Sequence, residues 1–227
     1  VSAGDALETM LVAYGSGAVA ISSQRKATVM NVDIGGGTSK IAICKNGEVV
    51  DITAIDVGAR IICFDSAGRI TRLEEAGRAH AAEAGLSIKI GDIISADELN
   101  KVTDIMVTRL FQAMGIEQLE RETVDLLRLA SLKDGPLPDI VTFSGGVSEY
   151  IYDHETEQYG DLGPLLAAAV KQRIADWAPE IVVPVEGIRA TVIGASQYTI
   201  QVSGNTIFVE PHEILPLRNM PVISPGL

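Results

Sequence analysis

The sequence predicts an α/β fold in which a mixed β-sheet is flanked by helices. Strand patterns are concentrated between residues 28 and 64, and amphipathic helix patterns dominate from residue 95 to residue 177. One apolar strand pattern, at residues 138–143, returns among the helices. Hairpins that come first and a strand that returns after helices are typical of a mixed sheet in an α/β lobe.

The N-terminal part begins with one helix pattern and then turns to strands. Residues 4–14 fit a helix, and the small residues at 15–23 predict a loop. Between residues 28 and 64, apolar and polar residues alternate as they do in β-strands. Asn46 and Gly47 form a strong two-residue hairpin signal inside this region.

Helix patterns dominate the rest of the chain, after a short strand at residues 70–73 and an extended segment at residues 86–94. The helix patterns cover residues 74–84, 97–114, 116–130, 162–177 and 189–201. The strongest start signal is Ser95, which is followed three residues later by Glu98. This pair is typical of a capping box at a helix N-terminus.

Composition and charge narrow the classes of partner. The chain has 227 residues and a formal net charge of −12. This acidic balance argues against nucleic acid or an anionic membrane as a partner. No apolar run is long enough to span a membrane. Cys44 and Cys63 lie in apolar strand patterns without a partner at metal-site spacing, which predicts reduced structural cysteines in a reducing compartment.

A glycine-rich turn follows the first apolar strand. Asp33 precedes Gly35, Gly36, Gly37 and Thr38, and a second strand pattern follows the turn. A Walker-type loop or a dinucleotide fingerprint would instead open a helix. We therefore expect the turn amides and the Thr38 hydroxyl to hold phosphate, with Asp33 at the mouth of the turn to hold Mg²⁺ through water or to orient an attacking water. The alternative is a tight β-turn that Asp33 caps.

A second glycine-rich turn follows the strand that returns among the helices. Ser144, Gly145 and Gly146 lead through Val147 into a short helix pattern. Free N–H groups at a helix N-terminus suit phosphate or ribose oxygens. Alone, this turn is more often a plain connector. Two such turns, far apart in sequence and each in a β context, predict a nucleotide site in which the turns bind one nucleotide from two sides.

These motifs resemble those of the actin, heat-shock chaperone and sugar kinase ATPase superfamily. Residues 33–38 resemble its second phosphate motif, and residues 144–148 resemble its adenosine motif. Residues 3–11 and 187–195 resemble its two interdomain connecting helices. The motifs occur in the superfamily's order over nearly the whole chain. The resemblance implies an actin-like (ribonuclease H-like) ATPase lobe.

A narrower resemblance, at residues 31–61, 141–151 and 188–208, is to the reactivating factor of ethanolamine ammonia-lyase. It implies a cytoplasmic, ATP-dependent chaperone that exchanges damaged cobalamin on its client lyase for intact adenosylcobalamin. Association with a bacterial microcompartment is left open. The implied cofactors are ATP or ADP and Mg²⁺, and the implied partner is the lyase, with neither nucleic acid nor membrane.

The resemblance also implies roles for the residues of the two turns. Gly35, Gly36, Gly37 and Thr38 would hold oxygens of the β- and γ-phosphates, and Asp33 would organise Mg²⁺-bound water. The second turn would take the ribose and the α-phosphate, through the nucleotide-binding residues Ser144, Gly145, Gly146 and Val147.

Arg60 is left out of the site, because a surface salt bridge is the default for it. His80, His154 and His212 lack neighbours at metal-ligand spacing.

The resemblance also predicts the organisation of the chain. Residues 1–27 correspond to a connecting helix and loop from a missing first lobe, residues 28–195 to the nucleotide-binding second lobe, and residues 196–227 to the end of the other connecting helix and the return. We expect a slow ATPase in the intact protein and an inactive fragment here, because the first phosphate hairpin is missing. A small-molecule kinase of the same superfamily and an actin-like assembly protein remain as alternatives.

Overall fold

The computed structural model describes residues 4–184, 187 and 189–197. The predicted α/β architecture is confirmed. The strands are β1 (Val29–Ile34), β2 (Ser39–Lys45), β3 (Glu48–Ile55), β4 (Ile62–Phe64), β5 (Ile70–Leu73), β6 (Ile140–Ser144) and β7 (Glu180–Ile181). The helices are α1 (Asp5–Gly15), α2 (Ala18–Arg25), α3 (Glu75–Glu83), α4 (Ala96–Ala113), α5 (Arg121–Val124), α6 (Ser148–Ile151), α7 (Gly163–Trp177) and α8 (Ala190–Gln197).

The main sheet is mixed, as predicted, and its strand order is β3-β2-β1-β6-β7. Strands β1, β2 and β3 pair antiparallel, whereas β6 pairs parallel with both β1 and β7. The turn between β2 and β3 has positive φ at both Asn46 and Gly47, which is the conformation that the Asn-Gly signal predicts. Because β1 and β6 are parallel neighbours, the two glycine-rich turns leave the same edge of the sheet.

The two faces of the central strands differ in character. Met30, Val32 and Ile34 of β1 belong to the large apolar core, which also contains buried residues of α4 and α7. On the other face, Val29 belongs to a smaller core with residues of α1 and α2. Asn31 and Asp33 alternate with the large-core residues, so they share this second face.

Two sequence predictions of secondary structure are wrong. Residues 15–23 were expected to be a loop, but most of them lie in α2, which packs against β1 and β2 and buries Val19. The helix expected at residues 116–130 is reduced to the single turn of α5. Its continuation leaves the helix because the Leu126 carbonyl accepts from the amide of Asp56, while the Arg128 amide donates to Ala54 at the end of β3. Tertiary pairing therefore outweighs local helix propensity here.

Helices α1 and α8 pack against each other with their backbones in contact. A Cβ atom added at Gly15 would overlap the Ala190 carbonyl, and one added at Gly194 would overlap the Leu11 carbonyl. Only glycine permits so close an approach. Most of the predicted return segment, residues 196–227, lies outside the described residues, so the predicted domain boundaries stay a prediction.

Candidate nucleotide-binding site

A ladder of buried polar side chains connects the ends of β1 and β6. Thr142 Oγ1 donates to Asn31 Oδ1 at 2.9 Å, and Asn31 Nδ2 donates to Ser144 Oγ at 3.1 Å. Ser144 Oγ in turn donates to Asp33 Oδ2 at 2.7 Å. All three bonds donate toward the Asp33 carboxylate, which is therefore held as an acceptor.

Asp33 lies beneath its turn and is only 6% exposed, which corrects the expectation that it stands at the mouth. Burial raises the pKa of the Asp33 carboxyl, while the Ser144 hydrogen bond and the nearby Lys40 ammonium oppose this rise. Within the described part of the chain, Asp33 Oδ1 accepts no hydrogen bond. This oxygen therefore remains available to a water molecule or a ligand.

A buried ammonium lies beside the first turn. Lys40 is the strand partner of Asp33 in the β1–β2 hairpin, and its side chain is 8% exposed. Its Nζ donates to Thr38 Oγ1 at 2.7 Å and lies 3.0 Å from Glu8 Oε1 of α1. The carboxylate of an N-terminal helix is thus paired with a cation at the turn.

The amides of the first glycine turn differ in their hydrogen bonds. The Gly35 amide donates to the Thr38 carbonyl, whereas the amides of Gly36 and Gly37 donate no hydrogen bond to any residue that the structure describes. A Cβ atom at the neighbouring Gly58 would come within 2.5 Å of the Gly36 carbonyl oxygen. The loop that carries Gly58 therefore supports the turn from below, and two amides remain free to bind an anion.

The second turn lies directly against the first. Gly145 has a φ of +81°, and a Cβ atom there would lie 2.6 Å from the Ile34 carbonyl oxygen. The same carbonyl accepts from the Val147 amide at 3.2 Å. A Cβ atom at Gly146, by contrast, would meet nothing within 4 Å. Gly145 is thus needed for backbone packing, and Gly146 faces open space.

A cavity of about 520 Å³ opens between the two turns. It is lined by Gly35, Gly36, Ala59, Arg60, Gly146, Val147, Glu149, Tyr150, His154, Glu155, Tyr159, Asp161 and Gly163. This volume falls within the range of small-molecule and cofactor sites. Both glycine turns predicted from the sequence therefore border one cavity.

Arg60 is the one lysine or arginine among the residues that line this cavity. The stem of Arg60 packs on Gly36, and its Nε donates to Asp161 Oδ2 at 3.2 Å. The Arg60 side chain is 60% exposed, whereas that of Asp161 is 7% exposed. The salt bridge expected for Arg60 exists, and it also holds the guanidinium group over the first turn.

The remaining predicted site residues are divided between the cavity and its support. Gly37 and Thr38 belong to the turn but not to the cavity lining, and Ser144 is fully buried beneath it. Sequence reasoning missed the roles of Lys40 and of Glu8. An available signal for the ladder was the pair of polar residues two positions apart in an otherwise apolar β1.

The site fits a magnesium ion only together with a ligand. Within the described residues, no group of three or more His, Cys, Asp or Glu side chains is placed to hold a metal. Mg²⁺ at nucleotide sites is bound by one or two carboxylates, by water and by phosphate oxygens. Asp33, with one free carboxylate oxygen, meets this requirement.

Two further features of the described residues concern membrane-spanning helices and a second cavity. Among the described residues, no helix has the length and the apolar character needed to cross a membrane. A second cavity, of about 360 Å³, lies at the opposite end of β1 beside Thr28, Met30 and Pro138. It shares no lining residue with the cavity between the glycine turns.

Comparison with curated proteins gives two close relatives. The chain is 34% identical over 231 residues to the ethanolamine ammonia-lyase reactivase EutA of Escherichia coli K12, and 33% identical over 226 residues to that of Salmonella typhimurium LT2. Each match covers 99% of this chain and 48% of the relative. The chain thus spans about half the length of these curated relatives. The cell division protein FtsA of Agrobacterium fabrum is 28% identical over 152 residues, which cover 60% of this chain and 33% of FtsA.

Solved structures give weaker similarities. MreB 5 of Spiroplasma citri bound to AMPPNP matches with a TM-score of 0.43 and 16% identity, over 83% of this chain and 56% of that one. The Ppx/GppA phosphatase of Aquifex aeolicus matches with a TM-score of 0.43 and 11% identity, over 83% of this chain and 63% of that one. At these scores neither likeness carries information on function.

The family assignment rests on sequence. The model of the family described as ethanolamine utilisation protein EutA matches residues 1–227, the whole of this chain. This agrees with the two curated relatives, which align over nearly the same residues. The chain belongs to the ethanolamine utilisation protein EutA family.

Proposed function

We propose that this chain is the nucleotide-binding lobe of an ATP-dependent chaperone that reactivates ethanolamine ammonia-lyase. The observation that carries the proposal is the cavity of about 520 Å³ between two glycine turns, in a chain that belongs to the EutA family. The client is inferred from the names of the two curated relatives. The exchange of damaged cobalamin for adenosylcobalamin is part of the proposal, as is a cytoplasmic location.

The first turn would bind the β- and γ-phosphates. The free amides of Gly36 and Gly37 are suited to phosphate oxygens, and the Thr38 hydroxyl lies at the end of the same turn. The second turn would bind the ribose and the α-phosphate through Gly146 and Val147, which line the cavity. Two turns on adjacent parallel strands can thus hold the two ends of one nucleotide.

Asp33 would position the attacking water. Ser144 holds one carboxylate oxygen of Asp33, and the other oxygen is free to accept a hydrogen bond from water. When bound, Mg²⁺ supplies positive charge that neutralises the phosphates, and Asp33 is the residue that would hold it through water.

Helices α1 and α8 would transmit the nucleotide state. Their backbones are in contact at Gly15 and Gly194, and α1 also reaches the first turn through Glu8. Closing of the lobes around ATP would move these two helices relative to each other. We propose that this movement strains the contact with the lyase until damaged cobalamin is released.

The proposal is tested with this chain and with a protein extended to the length of its curated relatives. We expect the chain alone to fold, to bind Mg²⁺-ATP weakly in calorimetry and to hydrolyse it negligibly. The extended protein should bind tightly, turn ATP over slowly and restore activity to lyase that has been inactivated with damaged cobalamin. The Asp33→Asn variant of the extended protein is the control for both activities.

Three results would count against the proposal in different ways. An extended protein that hydrolyses ATP but never revives the lyase would remove the client. Rapid phosphorylation of a small molecule would favour the kinase alternative, and ATP-dependent light scattering would favour an assembly protein. Robust ATP hydrolysis by this chain alone would mean that its predicted domain boundaries are wrong.

A further inference from the structure

Lys40 is unusual because it is a lysine in a buried position beside the candidate phosphate site. Its side chain is 8% exposed, and lysine is almost never this buried unless it is paired. A buried ion pair is seldom required for stability, since apolar residues of similar volume often serve as well. The place of Lys40 therefore calls for an explanation beyond packing.

The contacts of Lys40 leave one hydrogen-bond donor unused. An ammonium group has three N–H donors. Within the described residues, one goes to Thr38 Oγ1 at 2.7 Å and one faces Glu8 Oε1 at 3.0 Å. The third has no acceptor in the part of the chain that the structure describes. The ammonium is thus one bond from the Thr38 hydroxyl, which is itself a proposed phosphate ligand.

The position of Lys40 along the turn indicates which phosphate it would meet. Lys40 is the strand partner of Asp33, the residue proposed to face the attacking water. That end of the turn is where the terminal phosphate would lie. ATP differs from ADP by this phosphate and by the negative charge it carries, so a cation here favours ATP over ADP.

Glu8 opposes this effect. Its carboxylate belongs to α1, and among the described residues only the Lys40 ammonium is within ion-pair distance of it. A phosphate oxygen at the unused donor would share the positive charge of Lys40 with the Glu8 carboxylate, so the two anions would compete for that charge. Binding of ATP would then weaken the bond between the turn and α1, whereas ADP would leave that bond in place.

We infer that Lys40 selects ATP over ADP by binding the terminal phosphate in competition with Glu8. The inference rests on the proposed function, since it assumes that the cavity takes a nucleotide. It adds a specificity residue to the site. It also gives α1 a direct means of sensing the terminal phosphate.

The test measures dissociation constants for ADP and for a non-hydrolysable ATP analogue, with Mg²⁺, in the intact protein. Lys40→Met should weaken binding of the ATP analogue about tenfold or more and change ADP binding less than about threefold. Lys45→Met is the matched control, because it removes an exposed lysine from the other end of the same strand. It should leave both constants unchanged.

Glu8→Gln is a second variant, which keeps the shape of the Glu8 side chain and should change the affinity for the ATP analogue in the opposite direction. It should strengthen binding of the ATP analogue about threefold or more, because Lys40 is no longer shared. In the Lys40→Met background this gain should disappear, as a double-mutant cycle would reveal. If Lys40→Met fails to fold, the sign of the Glu8→Gln effect alone decides between the two interpretations.

Several outcomes would overturn the inference. Equal losses for ADP and the ATP analogue in Lys40→Met would mean a structural role, and an unchanged or weaker ATP affinity in Glu8→Gln would remove the competition. A wild-type protein that binds neither nucleotide would instead refute the proposed function. The two failures are therefore distinguishable.

Discussion

Ser144 Oγ donates a hydrogen bond to Asp33 Oδ2 at 2.7 Å, and this bond joins the two glycine turns beneath the cavity. Ser144 ends β6 and Asp33 lies next to the end of β1, so the bond crosses the parallel pair at the centre of the sheet. Ser144 also accepts from Asn31 Nδ2, which leaves its hydroxyl proton to Asp33. Ser144 is thus placed as a positioning residue.

The first prediction concerns this bond. Ser144→Ala should lower ATP turnover in the intact protein about tenfold or more, since one hydrogen bond to a charged group contributes about 1.5–3 kcal/mol. Because the Ser144 bond opposes the rise in the pKa of Asp33, its loss should raise that pKa further. Because the role proposed for Asp33 requires an ionised carboxylate, the acid limb of the pH–rate profile should move to higher pH.

Thr142→Val is the graded control for Ser144→Ala. Thr142 lies two bonds farther along the ladder, so its loss should move the acid limb less than Ser144→Ala does. A Ser144→Ala enzyme with lower turnover but an unshifted profile would exclude positioning of the carboxylate and leave only a packing role.

The second prediction is that Asp33→Asn keeps or increases the stability of the fold while it lowers ATP turnover. Burial raises the pKa of the Asp33 carboxyl, so the fold disfavours the ionised form. At pH 7.5 the neutral amide should therefore give an equal or higher melting temperature, and this advantage should vanish below the unfolded-state pKa of about 3.9. ATP turnover should nevertheless fall about a hundredfold or more. A stable variant with full turnover would remove Asp33 from the mechanism.

The fold was predictable wherever local signals agree with tertiary contacts. The Asn46-Gly47 hairpin and the Ser95 capping box are both present as predicted, and Glu98 makes both bonds of the box. The segment after α5 was predicted wrongly, because Leu126 and Arg128 bond to the β3 region instead of continuing a helix. No local pattern encodes that long-range pairing.

The two glycine turns of the site were predictable from the sequence, but the burial of its polar side chains was not. The glycines identify both turns, and the order of the strands brings them together. The burial of Asp33 and the bond from α1 to Lys40 depend on how a distant helix covers one sheet face. Sequence spacing carries no information on that packing, so Glu8 and Lys40 were not identified.

The third prediction tests whether both turns bind one ligand. Gly36→Val and Gly146→Val should each weaken nucleotide binding by about tenfold or more while the melting temperature changes little. A Cβ atom at Gly36 would lie 3.6 Å from the nearest side-chain atom, and one at Gly146 would meet nothing within 4 Å. The Cβ atom added at Gly36 would thus be in ordinary contact with the stem of Arg60, and neither Cβ atom would overlap the protein.

The control for the glycine variants is Gly135→Val, at the second cavity and away from both turns. It places the same side chain where an added Cβ has no close neighbour, and it should leave nucleotide affinity unchanged. Loss of binding in only one of the two turn variants would contradict the prediction that both turns bind one nucleotide.

The fourth prediction concerns His80, which is fully buried on α3. Its Nε2 bonds to the Asp56 carbonyl at 3.0 Å, and its Nδ1 has no partner among the described residues. Burial lowers the pKa of His80, and nearby Arg109 adds to this, while the Asp56 bond and the Glu83 charge oppose it. The folded protein therefore keeps His80 neutral where the unfolded chain takes up a proton.

Stability should consequently fall as the pH decreases below the unfolded-state pKa of about 6.5, and it should be fully present above it. We expect the melting temperature of the wild type to drop between pH 7.5 and pH 5.5, and the drop to be smaller in His80→Gln. His154→Gln, at an exposed histidine, is the control and should keep the wild-type drop. An equal drop in all three proteins would show that His80 does not control acid stability.

The fifth prediction assigns Arg60 to the nucleotide phosphates. Arg60 is the one lysine or arginine that lines the cavity, and its side chain stays 60% exposed although its Nε bonds to Asp161. Arg60→Gln should weaken nucleotide binding about threefold to tenfold, and it should reduce the dependence of affinity on salt, because one cation contributes less to the attraction of an anion.

Arg25→Gln is the matched control for Arg60→Gln, since it removes another exposed arginine, whose ion pair with Glu180 lies away from the cavity. Both variants lower the net charge of the protein by one unit, so a general electrostatic effect would weaken binding in both. A loss confined to Arg60→Gln, with a flatter salt dependence, would place the guanidinium at the ligand. Equal effects of the two substitutions would instead mean that Arg60 acts only through the net charge of the protein, and would remove it from the ligand site.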